Sequence, residues 1–337
     1  MSNVNTLTPD EIELDIPGGE PEPLALSTNL STKLDQLTQI DRQFAWLVAI
    51  TPPVGFLLAL VLHFKGWYSI SPIEVGIMLG MHFLCLVGIE VGFHRLFAHG
   101  SYQCHKIVRI VLAILGSMAF QGPVIWWAAI HRNHHRHSDK PGDPHSPHLH
   151  GESVWALMRG LFHAHVGWLF VTESVRTPGW SRYVQDLYRD QDIFKVHMAY
   201  FYWLFVGFAI PTILGGLITW SWKGAFLGFL WGGPVRIFFM NHLTYWCINS
   251  VTHTIGSRPF RTTDRSTNNI LLAIPTLGQT WHNNHHAFPS SSMMGLEWWQ
   301  IDVGGWILRA LEKVGLVWDL KVPTKLMIAS KRLSKNQ

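Results

Sequence analysis

His131-Arg132-Asn133-His134-His135 sets three imidazoles at i, i+3 and i+4, within about a 100° sector of a helix face. A rigid element that offers several imidazoles in this way can ligate a metal. The pattern returns 151 residues later as His282-Asn283-Asn284-His285-His286, and a looser box, His94-Arg95-Leu96-Phe97-Ala98-His99, lies upstream. The boxes supply more imidazoles than one ion takes, and two ions sharing them fits coordination numbers of about four to six. Imidazole ligation suits zinc, copper, nickel and iron alike, so ligand type leaves the metal open. His94 and His99 stand at i, i+5, too wide for one α-helical face, so the helix is expected to end or unwind between them.

The elements that must carry these boxes are membrane-like. The chain has 337 residues, a mean hydropathy of +0.15 and 14% charged residues, against about 25% in soluble domains. Seventeen tryptophans and nineteen phenylalanines suit a bilayer and its interfaces. Three scattered cysteines suggest neither a disulfide framework nor a thiolate zinc site. Four apolar runs, 44–64, 72–93, 196–220 and 225–249, are expected to span. Pro52-Pro53 is a tolerable kink in the first, and Pro72 fits the first turn of the second. Arg236, inside the fourth, requires that helix to project beyond the bilayer or to pair the charge internally.

The run 107–127 is also apolar, but if it crossed, the first two boxes would lie about 30 Å apart on opposite faces. It carries Arg109 and Gly122-Pro123, and is expected as an interfacial or re-entrant helix roofing the site. The inter-span turns hold only Lys65 and Lys223, so the positive-inside rule places both termini and all boxes in the cytoplasm. The fold expected is an all-α, multi-pass integral membrane protein. Four transmembrane helices carry a cytoplasmic helical cap (94–195 and 250–330) bearing a histidine-rich di-metal site, all within a domain over 41–330.

Residues 1–40, with seven acids, one Lys and four prolines, are expected as a disordered acidic tail without signal-peptide features. The basic remainder suits an anionic membrane-lipid surface or an acidic partner protein, or is simply a solvated face. No basic-aromatic stripe points to nucleic acid.

In this order, H-R-L-F-A-H, H-R-N-H-H and H-N-N-H-H resemble the boxes of the membrane-bound fatty acid (acyl-lipid and acyl-CoA) desaturases of Δ9 type. The resemblance covers most of residues 44–323 and takes in Asn249-Ser250-Val251-Thr252-His253, Gly256-Ser257-Arg258-Pro259 and His165-Val166-Gly167-Trp168. It implies nine histidines around two iron ions (Fe2+): His94, His99, His131, His134, His135, His253, His282, His285 and His286. Asn249 would hold a metal-bound water, and Gln121, Trp127 and Trp246 would line a kinked acyl channel. The activity implied is an O2-dependent desaturase placing a cis double bond, Δ9 by resemblance, in a saturated fatty acyl chain. An unactivated methylene is too weak an acid for any side-chain base, so a redox cofactor must do that chemistry. No cytochrome b5 or ferredoxin-like domain is fused within these residues, so electrons are expected from a separate donor of either type.

The chain departs from the family at three places. Ala129-Ile130 replace the Arg-Asp that contacts the nucleotide headgroup in the animal acyl-CoA branch, which favours a lipid-linked over a CoA-linked chain. Gln279-Thr280 replace Glu-Gly, and Glu90 replaces Thr one helical turn before His94. Glu90 and Gln279 are therefore candidates for orienting ligands; an uncharged, lipid-shielded Glu90 is the alternative. Six further histidines run from His137 to His165 inclusive, and Asp139 and Asp143-Pro144-His145 resemble a common family loop, for which a structural role near the site is expected. A fatty-acyl hydroxylase would share the same site. A membrane electron carrier would instead bury histidine pairs within its spans, and a zinc hydrolase would need fewer histidines and a carboxylate base.

Overall fold

The computed structural model describes residues 28–171, 175 and 179–334, with side chains from residue 42 onward. Of the expected tail, residues 1–27 lie outside the described residues, whereas the backbone is already helical from Thr28. Leu30, Leu34, Leu37 and Ile40 recur there at helical spacing, beneath the acidic composition. Helix α1 (Thr28–Phe64) continues through Pro52-Pro53. It leaves Trp46, Ile50, Leu57, Val61 and Phe64 exposed, an apolar face suited to lipid. At Gly55 it packs so closely on Pro234 that a Cβ would collide.

Helix α2 (Pro72–Val87) starts on a capping box: Ser71 Oγ accepts from Ile73 N, and Glu74 accepts from Ser71 N. It runs without a break into a π-helix over Gly88–Ala98. The expectation at the first box is met in a specific way: the helix unwinds into wider π turns and ends at Ala98, and His99, its C-cap, donates from N to His94 O at 3.1 Å, an i→i−5 bond. A wider turn brings i and i+5 to one side.

The apolar run 107–127 is two elements, not one helix. Helix α3 (Lys106–Ser117) has 12 residues, about 18 Å, too short to cross about 30 Å of hydrocarbon. A turn with positive φ at Phe120 and Gly122 then leads into α4 (Val124–His137), which carries the second box. Helix α5 (Val154–His165) follows. The expected run 196–220 divides at Ala199 into α6 (Gln191–Met198) and α7 (Tyr200–Thr219).

Among the described residues, three helices are long and apolar enough to cross a membrane: Arg42–Phe64, Pro72–Ala98 and Tyr200–Thr219. The fourth expected span is helical but segmented. Helix α8 (Trp222–Leu230) passes into π turns at Trp231–Val235 and Asn241–Tyr245, separated by Arg236–Met240 and followed by Trp246–Ser250. Gly232-Gly233-Pro234 explains the first irregularity, since proline lacks the N–H that an α-helix needs. Arg236 is wholly buried; its Nε donates to Gly232 O (2.7 Å) and its Nη2 to Met118 O (3.1 Å). Backbone carbonyls therefore satisfy it, and no carboxylate pairs with it among the described residues. A two-stranded pairing of β1 (Gln103–Cys104) with β2 (Val317–Trp318) ties a segment beyond the third box to the segment after the first.

Candidate metal centre

Four elements deliver the imidazoles. The π-helix supplies His94 and His99, and α4 supplies His131, His134 and His135. A 3-10 turn (Val251–His253) ending the fourth run supplies His253, and α9 (His282–Ala287) supplies His282, His285 and His286. They form two groups. His94, His99, His131, His135 and His285 make one; His134, His253, His282 and His286 make the other. In each, one ligand atom from every residue lies within 4.8 Å of all the others. The expected nine are thus brought together, and each group mixes residues from at least three elements.

Nε2 atoms face one another across both groups. In the first, His99–His131 is 2.8 Å, His135–His285 2.9 Å and His94–His285 3.1 Å. In the second, His253–His282 and His282–His286 are both 3.0 Å. Carboxylates fix which nitrogen carries the proton. His94 Nδ1 donates to Glu90 (3.0 Å), His134 Nδ1 to Asp143 (3.0 Å), His253 Nδ1 to Asp139 (2.8 Å) and His286 Nδ1 to Asp264 (2.9 Å). Their Nε2 atoms are then left as lone pairs turned toward the other imidazoles of their own group, His94 in the first and His134, His253 and His286 in the second, an arrangement that repels itself unless a cation shares it.

Burial first, and neighbouring imidazoles second, hold His99, His131, His135, His282 and His285 well below the usual histidine range. Neutral imidazole is the form a metal needs. Burial also opposes charge on His134, but Asp143 outweighs it and the net shift is upward. The donor set therefore fits two imidazole-ligated transition metals.

The carboxylates are themselves held. Asp139 also accepts from Arg265 N (2.7 Å) and Ser146 Oγ (2.7 Å), and Asp143 accepts from Asp139 N (2.8 Å) and His145 N (3.1 Å). The loop after the second box thus positions histidines of the second group from behind. Asp264 was invisible in the sequence, because no spacing relates it to His286, 22 residues on.

One small pocket adjoins the histidines, and a larger cavity shares a lining residue with it. A buried pocket of about 20 Å³ is lined by Trp127, His131, His134, Asn249, Gln279 and His282 among others. An apolar cavity of about 440 Å³ is lined by residues that include Phe44, Gln121, Tyr200 and Trp246. Tyr245 lines both. The expected channel residues are therefore divided, with Trp127 in the small pocket and Gln121 and Trp246 in the large one. Gln121 is buried with both amide atoms unpaired among the described residues; Asn249 Nδ2 and Gln279 Oε1 are unpaired likewise. Glu90 lies on the far side of His94, bound also by Arg95. Ala129 and Ile130 are both buried, and Ile130 lines the small pocket.

The sequence profile described as Fatty acid desaturase matches residues 69–319. The chain is 46% identical over 302 residues to the hex-5-enoyl-[acyl-carrier protein] acetylenase of Moorena producens (strain JHB), covering 89% of this chain and 92% of that protein. It is 34% identical over 278 residues to the sn-1 stearoyl-lipid 9-desaturase of Anabaena variabilis (81% and 94% covered). It is also 34% identical over 286 residues to the acyl-CoA C20 Delta5-desaturase of Anemone leveillei (78% and 85% covered).

Proposed function

The chain belongs to the fatty acid desaturase family and is an oxidoreductase acting on fatty acyl chains; from that premise we propose that its two histidine groups hold two iron ions and that it dehydrogenates an acyl chain with O2. The carrying observation is the pair of all-histidine groups, His131, His134 and His282 of which line a buried pocket adjoining an apolar cavity through Tyr245. When bound, the di-iron centre supplies the O2 reduction and hydrogen abstraction that no side chain can perform at an unactivated methylene. The balance is –CH2–CH2– plus O2, two electrons and two protons, giving –CH=CH– and two waters. The electrons come from a separate small donor of ferredoxin or cytochrome b5 type.

The protein's own part is positioning. Glu90, Asp139, Asp143 and Asp264 hold imidazoles with Nε2 inward. Asn249, with its amide nitrogen free, is suited to hold a metal-bound water between His131, His134 and His282. The apolar cavity keeps water away from the acyl chain, and Gln279 offers a free amide oxygen at the small pocket.

The topology we propose has four spans, with the segmented run Trp222–Ser250 as the fourth, and both termini and the histidines on the cytoplasmic side. Lys223 Nζ donates to Trp67 O (2.6 Å), so the two inter-span turns meet, as expected for turns on one face.

For the carrier, the 46% relative named for an acyl-carrier-protein substrate favours a thioester of that protein. A lipid-linked chain desaturated at Δ9 is the second reading, favoured by the Anabaena relative and by the buried Ala129 and Ile130. Purified protein, supplied with ferredoxin, its reductase and O2, is offered acyl thioesters and lipid. New unsaturation in the acyl products by mass spectrometry, together with two irons per chain, supports the reading. Exclusively hydroxylated products would sink it, as would unchanged activity and iron content in His134→Ala or His285→Ala.

A further inference from the structure

We propose that the acyl chain ends at the metal centre, so that the oxidised bond is set by distance from the methyl end and is the terminal bond or its neighbour. This rests on the acyl-oxidation reading above. A site in mid-chain needs room on both sides of the reacting carbons. Among the described residues, the large apolar cavity lies on one side. The apolar cavity of about 440 Å³ is lined by Met198 and Phe201, both 67% exposed, and shares Tyr245 with the small pocket at the histidines. Beyond Tyr245 the pocket beneath the histidines holds about 20 Å³, enough for about one methyl-sized group.

Behind the wall of the small pocket the protein is tightly packed. Trp127 stacks on His131 (centroids 5.0 Å apart, planes 18°) and is backed edge-on by Phe93 (5.9 Å). Phe93 is wholly buried, in one contiguous apolar cluster with Leu86, Ile89 and Ile125. Its ring fits only because residue 116 is glycine, where any Cβ would run into it. A long tail continuing past the histidines would have to displace this cluster, and close-packed interiors resist that.

The opposite end of the chain also has a place. Gln121 presents an unpaired amide to the large cavity, and an amide without a partner is satisfied by a carbonyl such as that of a thioester. The carbonyl is then held on the cavity side of Tyr245, with the methyl end at the histidines. The step on a saturated chain is R–CH2–CH3 plus O2, two electrons and two protons, giving R–CH=CH2 and two waters. A second round on the alkene, with the same co-reactants, gives the alkyne.

The test uses the full iron-loaded chain with ferredoxin, ferredoxin reductase and O2. Hexanoyl, decanoyl and octadecanoyl thioesters of acyl carrier protein are offered in turn, and bond position is read by mass spectrometry. The expected result is a bond at constant distance from the methyl end, with hexanoyl favoured over octadecanoyl by at least about tenfold. Phe93→Ala should shrink that preference by about tenfold and move the bond inward; Phe93→Leu, a milder change, should do so in part if the alanine variant does not fold. A bond at constant distance from the carbonyl, or equal use of octadecanoyl, overturns the proposal and leaves acyl oxidation standing. So does a Phe93 variant that slows every chain equally. Conversion of no chain by protein holding two irons overturns both.

Discussion

Glu90 accepts a hydrogen bond from His94 Nδ1 at 3.0 Å with both side chains wholly buried, and the same carboxylate is gripped by Arg95. Arg95 Nη2 reaches Glu90 (3.1 Å) and Asp302 (2.7 Å), and its Nη1 reaches Ser292 O (2.6 Å). Asp302 in turn caps α10 (Val303–Lys313) through Gly305 N. One buried chain of charges therefore runs from a candidate ligand to the segment that follows the third box.

Glu90→Leu leaves Arg95 partly unpaired and frees His94 to turn. Losing one partner of such a pair costs about 3–5 kcal/mol, and losing a carboxylate behind a ligand weakens metal binding about 10–100-fold. Glu90→Gln keeps a hydrogen-bond acceptor and should lose less of both. Melting temperature and iron retained under a chelator measure the two effects. Iron retention equal to wild type in the leucine variant would remove the positioning role.

The two groups are backed unequally. Asp143, Asp139 and Asp264 stand behind three of the four histidines of the second group, whereas among the described residues the first group has Glu90 alone. Each of Asp139→Asn, Asp143→Asn and Asp264→Asn should therefore weaken one ion about 10–100-fold and leave the other in place. Metal analysis after chelator dialysis should give about one ion per chain rather than two. Loss of both ions together, or of neither, would contradict a local role.

Much of this centre was legible because i, i+3, i+4 spacing survives in any helix, so six of the nine histidines announced themselves. His94 and His99 were harder, since a π-helix adds a residue per turn without leaving a periodicity to read. Arg95 and Asp302 lie 207 positions apart, and Asp264 follows no spacing rule, so only tertiary structure joins them to the histidines. The fourth apolar run was visible, but not its two π turns: Pro234 marks one, and nothing in the sequence marks Asn241–Tyr245. Trp127 and Trp246 looked like one channel and line two cavities, because Tyr245 stands between them.

Acid should destabilise the metal-free protein. His99, His131, His135, His282 and His285 are held well below 6.5 by burial, so below that pH the unfolded chain binds more protons than the folded one. Stability then rises with pH up to about 6.5 and is lost on acidification, by up to about 1.4 kcal/mol per imidazole per pH unit. His134, shifted upward, opposes this and is outnumbered. Asp143, pushed down to about 2 against its own burial by His134, keeps its contribution until pH falls below its unfolded value of about 3.8. Melting of iron-stripped protein at about pH 7.5 and 5.5 checks the sign; an unchanged or higher midpoint at the lower pH would be the wrong one.

The contact between Lys223 and Trp67 makes the topology testable. Lys223 bonds the Trp67 carbonyl and sits 4.9 Å over its ring, which joins the turn after α1 to the turn before α8. With four spans, that joined pair faces away from the histidines, and the Lys- and Arg-rich segments face the cytoplasm. The three native cysteines, Cys85, Cys104 and Cys247, are buried, so a membrane-impermeant thiol reagent should find little background. Lys65→Cys and Ser221→Cys should react from outside sealed cells, whereas Lys140→Cys and Lys313→Cys, both exposed, should react only after permeabilisation. Labelling of Lys65→Cys and Lys140→Cys from the same side would mean an odd number of crossings between residues 65 and 140 is wrong, and would return 106–117 or its neighbours to the bilayer.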